Sequence, residues 1–237
     1  MKNNLPLAYV AVDTSDIDRA VFLAEEVGNT FKGIKLGLEF FMSHGPDGVK
    51  RVMGALGDDV SLFLDLKLHD IPNTVAGSLR AVSNLGADYI TVHAAGGADM
   101  IKASVEALSD VDTQILCVTV LTSLSEIDVV AFSSNSLPET ALSLAKNAVA
   151  AGGHGLVCSA HEVKLLRAEF GQDVVLMVPG IRQSPGADGD QKRVMTAEQA
   201  MNAGATHLVI GRAVTRAVDP KRAAEDIMQS ILTTKAA

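Results

Sequence analysis

The stretch Val60 to Thr74 reads VSLFLDLKLHDIPNT, and within it Asp65, Lys67 and His69 alternate with Leu64, Leu66 and Leu68. Successive side chains of an extended strand point to opposite faces, so a persisting strand puts the three polar residues on one face and the leucines on the other. A lysine ammonium fixed in a low-dielectric mouth can stabilise negative charge developing on a bound molecule and can then deliver a proton. It keeps its charge only where carboxylates compensate it, and Asp65 and Asp70 flank it in sequence. The same spacing also describes an ordinary ion pair at a solvated strand end. His69 taken alone reads as a hydrogen-bonded support residue rather than a catalyst.

Two further charged residues end apolar runs. Asp13 closes the first such run and Lys35 lies in the second, so Asp13, Lys35, Asp65 and Lys67 would converge with alternating sign if the runs are neighbouring parallel strands. Singly, Asp13 reads as part of the cap of a helix beginning near Asp16, and Lys35 as a solvated turn. Near the other end, Val178-Pro-Gly-Ile-Arg182 and Ile210-Gly-Arg-Ala213 each follow an apolar run. Gly211 would let an anion approach the backbone, and Arg182 and Arg212 could supply charged donors. Between them lies QSPGADGDQ, Gln183 to Gln191, the longest irregular stretch, which is either a surface loop or a lid that closes over a site.

The elements that must position these residues are short β-rich runs: Leu7 to Asp13, Gly33 to Leu36, Val60 to Lys67, Asp88 to His93, Gln114 to Leu121, Gly155 to Ser159, Val174 to Val178 and His207 to Ile210. Segments of helical composition separate them, among them Asp16 to Val27, Val75 to Leu85, Ala98 to Leu108, Pro138 to Ala150, His161 to Phe170 and Ala197 to Asn202. Three helix-to-strand joints, Asn84-Leu-Gly-Ala-Asp88, Ala151-Gly-Gly-His-Gly155 and Asn202-Ala-Gly-Ala-Thr206, carry the glycine that suits a left-handed residue after a helix. Eight continuous apolar strands alternating with amphipathic helices imply a parallel α/β architecture, a (β/α)8 TIM barrel of one domain over residues 1–237, with a doubly wound open sheet as the alternative. In a barrel the leucines of the third strand face the helices. The charged row then points into the mouth at the C-terminal ends of the strands, where barrel sites form, and the Arg182 and Gly211-Arg212 loops fall where barrels commonly hold a phosphate.

With 48% hydrophobic residues in a chain of 237, a large core can be buried. The 20 basic residues against 28 acidic leave a net charge of −8, the wrong sign for gripping nucleic acid through the overall field, so positive charge for an anionic ligand must be local. Cys117 and Cys158 sit inside apolar runs rather than in a metal-binding pattern, the histidines lack metal-ligand spacing, and no GxGxxG, GxxxxGK[ST], GxSxG or HExxH is present. Leu7 to Val12 is too short for a signal-peptide core and no run suits a membrane span. A soluble cytoplasmic protein is expected.

The residues Asp65-Leu-Lys-Leu-His-Asp-Ile-Pro-Asn-Thr74 keep intact the DxKxxDIPNT form of the orotidine 5′-phosphate decarboxylase family, which the chain resembles over essentially its whole length. Asp13 in AVD, Lys35-Leu-Gly37, Val120-Leu-Thr-Ser123, Val178-Pro-Gly-Ile-Arg182 with Gln191, and Ile210-Gly-Arg212 follow in the family's order. The resemblance implies that Lys35, Asp65, Lys67 and Asp70 form a catalytic array, with Lys67 the proton donor to C6 of the pyrimidine as CO2 leaves. It implies a homodimer in which Asp70 and Thr74 reach the neighbouring subunit's site, with Ile71 between them also at the substrate. Asp13 and Lys35 would contact the ribose, and Thr122 or Ser123 the pyrimidine edge. Pro179, Arg182, Gln191, Gly211 and Arg212 would surround the phosphate, with Gln183 to Gln191 closing over it. No cofactor and no metal are implied. The substrate and product would be orotidine 5′-phosphate and UMP, and a chain of this length would be monofunctional. Two other readings stay open: a Mg2+-dependent sugar-phosphate decarboxylase or aldolase on the same barrel, whose second strand carries an acid where Lys35 stands, and a nucleotide-binding barrel without turnover.

Overall fold

In the computed structural model, which describes residues 7–182 and 195–236, eight parallel strands close into a barrel in sequence order. They are β1 (Ala8–Val12), β2 (Gly33–Gly37), β3 (Ser61–Leu68), β4 (Tyr89–His93), β5 (Gln114–Val118), β6 (Gly155–Val157), β7 (Val175–Val178) and β8 (His207–Ile210). β8 pairs back onto β1, Ala8 opposite Leu208, so the open doubly wound sheet is excluded. The helices packed outside include α1 (Ile17–Phe31), α2 (Leu38–Gly54), α3 (Pro72–Val82), α4 (Gly97–Glu106), α5 (Glu126–Val130), α6 (Leu137–Ala150), α7 (Val163–Phe170), α8 (Ala197–Ala203), α9 (Arg212–Thr215) and α10 (Pro220–Ala236). Among the described residues no helix is long and apolar enough to cross a membrane.

Local chemistry explains where these elements start and stop. Asp16 caps α1, its carboxylate accepting from the N–H groups of Asp18 and Arg19 at 3.0 Å each, so Asp13 is left free of that duty. Gly86, Gly152 and Gly204, in the three joints that share a spelling, all take positive φ, which lets each helix end turn directly into the next strand. The helical pattern between β2 and β3 is broken in the sequence because Gly45, at φ 57° and ψ −158°, and Pro46 interrupt α2.

Alternation along each strand separates two apolar sets. Leu62, Leu64 and Leu66 of β3 join the layer between barrel and helices, whereas Tyr9, Phe63, Tyr89, Val118, Met177 and Val209 fill the barrel. The N-terminal end of the interior is polar. The Ser61 hydroxyl donates to Asp88 at 2.7 Å, so the Tyr9 hydroxyl, 2.8 Å from Ser61, must be the donor of that pair. Burial pushes the Tyr9 phenol well above its usual value, which keeps it a donor. Tyr89 meets His207 at 3.2 Å beside it.

Removing Ser61 leaves both a buried phenol and a carboxylate oxygen short of a partner, whereas removing the Tyr9 hydroxyl costs one bond. Ser61→Ala should therefore lose about 1–3 kcal/mol and Tyr9→Phe about 1 kcal/mol in urea titration. The reverse order would contradict the donor assignment.

Candidate active site

The C-terminal end of the barrel is charged, and the strand register builds it. Lys35 stands opposite Phe63 and Gly37 opposite Asp65, so successive inward positions climb from apolar to ionic. The Lys35 ammonium, almost wholly buried, donates to both oxygens of Asp13 at 2.8 and 2.9 Å and lies 3.7 Å from Asp65. Lys67 donates to the same Asp65 oxygen at 2.6 Å. Two ammonium groups and two carboxylates thus alternate, and this mutual compensation is what allows charge under a barrel mouth. Gly37 was quoted in the sequence only as a neighbour of Lys35, yet it has a steric role. A Cβ there would collide with the Asp13 carboxylate and sit 2.9 Å from the Lys35 ammonium.

Burial by itself would raise the Asp65 carboxyl. Lys35, Lys67 and hydrogen bonds from Lys67 and Thr91 outweigh it and hold Asp65 below the ordinary carboxylate range. Thr91 was absent from the sequence reading. Its hydroxyl donates to Asp65 at 3.0 Å and accepts the backbone N–H of Lys67 at 2.8 Å.

The array forms one end of a cavity of about 470 Å³ whose floor is Ala11, Phe63, Val118, Val157 and Val209. The opposite side, from β7 and β8, supplies Pro179, buried Arg182, Gly211 and Arg212. A Cβ on Gly211 would meet only Ala11, at 3.6 Å, so packing does not demand glycine and the backbone there is open to a ligand. Arg216 and Glu39 line the rim, and neither was singled out from sequence. Arg216 follows Arg212 by one helical turn along α9, a spacing that could have revealed it.

Thr122 is in the cavity wall; Ser123 is exposed and is not. Asp70, Ile71 and Thr74 are all exposed and outside the wall of the chain's own cavity, with the Asp70 carboxylate accepting from the Ile71 N–H at 2.6 Å. The regular alternation expected through His69 fails. β3 ends at Leu68 after an irregularity against β4 between Leu64 and Leu68, and His69 instead stacks on His93 with ring centroids 5.0 Å apart. Gln191 and the rest of the segment Gln183 to Gln191 lie outside the described residues.

A closed parallel barrel with an ion array and an arginine-lined rim facing each other across one cavity at its C-terminal mouth is a barrel enzyme's site for a small anionic molecule. The family model described as Orotidine 5′-phosphate decarboxylase / HUMPS matches residues 6–227, and the chain belongs to that family. It is 47% identical to a protein named orotidine 5′-phosphate decarboxylase from Thermobifida fusca (strain YX), over 98% of this chain and 97% of that one. It is 42% identical to the protein of the same name from Idiomarina loihiensis, over 96% and 98%. The crystal structure of orotidine 5′-phosphate decarboxylase from Lactobacillus acidophilus superposes with a TM-score of 0.82 at 33% identity, covering 95% of this chain and 99% of that one.

Lys35→Met strands two carboxylates that the ammonium now bridges. Lys67 and Thr91 still hold Asp65, so the loss should be about 1–3 kcal/mol at neutral pH, below that of a buried ion left wholly alone. A depressed carboxyl stabilises the fold above its unfolded pKa and loses that contribution as pH falls through the folded value; without Lys35 the Asp65 carboxyl rises and this contribution shrinks. The deficit of the variant should therefore be largest near neutrality and narrow below about pH 4. Denaturant titrations at several pH values check this, and a pH-independent deficit would count against Asp65 as the stranded group.

Proposed function

We propose that the chain decarboxylates orotidine 5′-phosphate to UMP, the activity named for its relatives, and does so without a metal or cofactor. The observation that carries this reading is the Asp13–Lys35–Asp65–Lys67 array facing the arginine rim across one cavity. Cleavage of the bond between C6 and the carboxylate leaves an electron pair on C6 in an orbital orthogonal to the π system, which an electron-sink cofactor would stabilise little. The ammonium of Lys67, oriented by Asp65 at 2.6 Å, stabilises that charge and then transfers a proton to C6. CO2 leaves, C6 gains hydrogen, and the neutral amine is reprotonated from solvent.

Asp13 and Lys35 would hold the ribose, and Thr122 or Ser123 the pyrimidine edge, with Thr122 favoured by its place in the wall. Pro179, Arg182, Gln191, Gly211 and Arg212 would enclose the phosphate. Phosphate binding is remote from C6, but it can order the site for the chemical step. Asp70 and Thr74, exposed beside an apolar Ile71 that is 66% exposed, would enter the site of a second copy of the chain. The functional unit is then a cytoplasmic homodimer in which each site completes its array with the other copy's Asp70, and each chain acts as one barrel domain.

Loss of orotidine 5′-phosphate absorbance by purified protein in EDTA tests this reading. Turnover should survive the chelator, fall at least about 10³-fold in Lys67→Ala, and drop about 10²-fold in kcat/KM in Arg212→Ala. Metal dependence would favour the sugar-phosphate enzyme, and tight UMP binding without turnover a binding barrel. An unchanged Arg212→Ala would remove the phosphate assignment.

A further inference from the structure

We propose that Thr91 is a positioning residue that sets the proton donor, its single hydroxyl locking Lys67 and Asp65 into one geometry; the proposal rests on the decarboxylase reading of this site. Thr91 is wholly buried in the middle of β4, between Ile90 and Val92, both of which pack outward against the helices. Alternation therefore turns Thr91 into the barrel, toward β3.

The β3–β4 ladder is irregular where Thr91 stands. Leu64 pairs with Ile90 and Leu68 with Val92, so four residue steps on β3 are matched by two on β4. The extra residues leave Asp65, Leu66 and Lys67 outside the regular ladder with β4, and Lys67 takes φ +47°, a left-handed conformation that costs a residue other than glycine about 1–2 kcal/mol. A conformation of that kind persists only where its surroundings hold it. The Lys67 N–H can only donate, so the Thr91 oxygen accepts it, at 2.8 Å, in place of the missing ladder carbonyl. The threonine proton is then available to Asp65 Oδ1 at 3.0 Å, while Asp65 Oδ2 takes the Lys67 ammonium at 2.6 Å. The loop from Lys67 backbone through Thr91 and Asp65 to the Lys67 ammonium is closed. One hydroxyl thus fixes both the backbone that aims the lysine and the carboxylate that receives it.

The charged groups around this loop are Lys35 from β2, 3.7 Å from Asp65, with Asp13 behind it, Lys67 itself, and His93 at the end of β4 with His69 stacked on it. Burial, then His69 and Lys67, hold the His93 imidazole below its usual pKa, so His93 also titrates on the acid side and must be told apart from Asp65. Without the Thr91 hydroxyl one of the interactions that depress Asp65 is gone, and its carboxyl rises.

The test compares wild type with Thr91→Val, Thr91→Cys and Thr91→Ser. Each is assayed for kcat, KM and pH dependence of kcat, and the aspartate carboxyl carbons are followed by NMR titration, with Asp65→Asn assigning the resonance. Valine keeps the volume and removes the hydroxyl. It should lower kcat about 10–100-fold, the loss expected for a hydrogen bond to a charged group, with KM within about twofold and the acid limb and the Asp65 resonance moved to higher pH. Cysteine, a weak donor and acceptor, should fall between, and serve alone if the valine protein does not fold; serine should return kcat to within about threefold of wild type. A merely structural threonine would change melting temperature and leave the pH profile and the Asp65 titration where they are. That result, or failure of serine to rescue, overturns the proposal. If wild type shows no turnover the decarboxylase reading fails, and the Asp65 resonance still decides the positioning of Asp65 by Thr91: moved up in the variants it stands, unmoved it falls.

Discussion

Everything at the mouth of this barrel depends on four charges of alternating sign that compensate one another. Lys35 is buried, and a buried ammonium is tolerated only because Asp13 and Asp65 lie on either side of it. Asp65 in turn is shared between two ammonium groups and a hydroxyl, which leaves it ionised despite burial. Remove one member and its neighbours lose part of their compensation, so the array behaves as a unit rather than as a sum of pairs. Coupling of this sort is also what chemistry at a carbanion needs, because dipoles and charges already held in place need no reorganisation when negative charge develops.

The barrel interior is graded to make that unit possible. At the N-terminal end, Tyr9, Ser61, Asp88, Tyr89 and His207 form hydrogen-bonded contacts, and burial keeps the phenols protonated, with Tyr89 raised to about 12. Above them an aromatic and aliphatic layer, with Tyr9 and Phe63 edge to face at 5.8 Å, seals the barrel and lowers the dielectric beneath the charges. The lysine–aspartate array occupies the top layer, where a Cβ on Gly37 would crowd the Asp13 carboxylate and the Lys35 ammonium. Opposite them, a chain whose net charge is −8 gathers Arg182, Arg212 and Arg216 on one side of the mouth, so an anionic ligand meets a local field opposite in sign to that of the whole protein.

Much of this was legible in the residues. The eight apolar runs found their strands to within a few residues, because a parallel strand buried on both faces is written as a continuous apolar run. The alternation of Leu64 and Leu66 with Asp65 and Lys67 correctly separated an outward leucine row from inward charges. His69 broke the pattern, because the β3 ladder against β4 is irregular and the strand ends one residue before it. Short elements such as α5 and α9, and the Gly45-Pro46 break in α2, carry too little periodicity to declare themselves.

The sequence by itself determined the parallel α/β class, the outward and inward faces of β3, and the family whose DxKxxDIPNT spelling it carries, because these depend on local alternation and on residue types at fixed separations, whereas closure of the sheet rests on the β8–β1 pairing. Only the tertiary structure decided that Thr91 bridges Asp65 and Lys67 from 26 and 24 positions away, that a side chain on Gly37 would crowd Asp13 and Lys35, that Thr122 rather than Ser123 enters the wall, and that Asp70 and Thr74 are exposed outside their own cavity wall. The physical reason is that these depend on register between strands and on where a ladder loses its regularity, and neither is written within any one segment of chain.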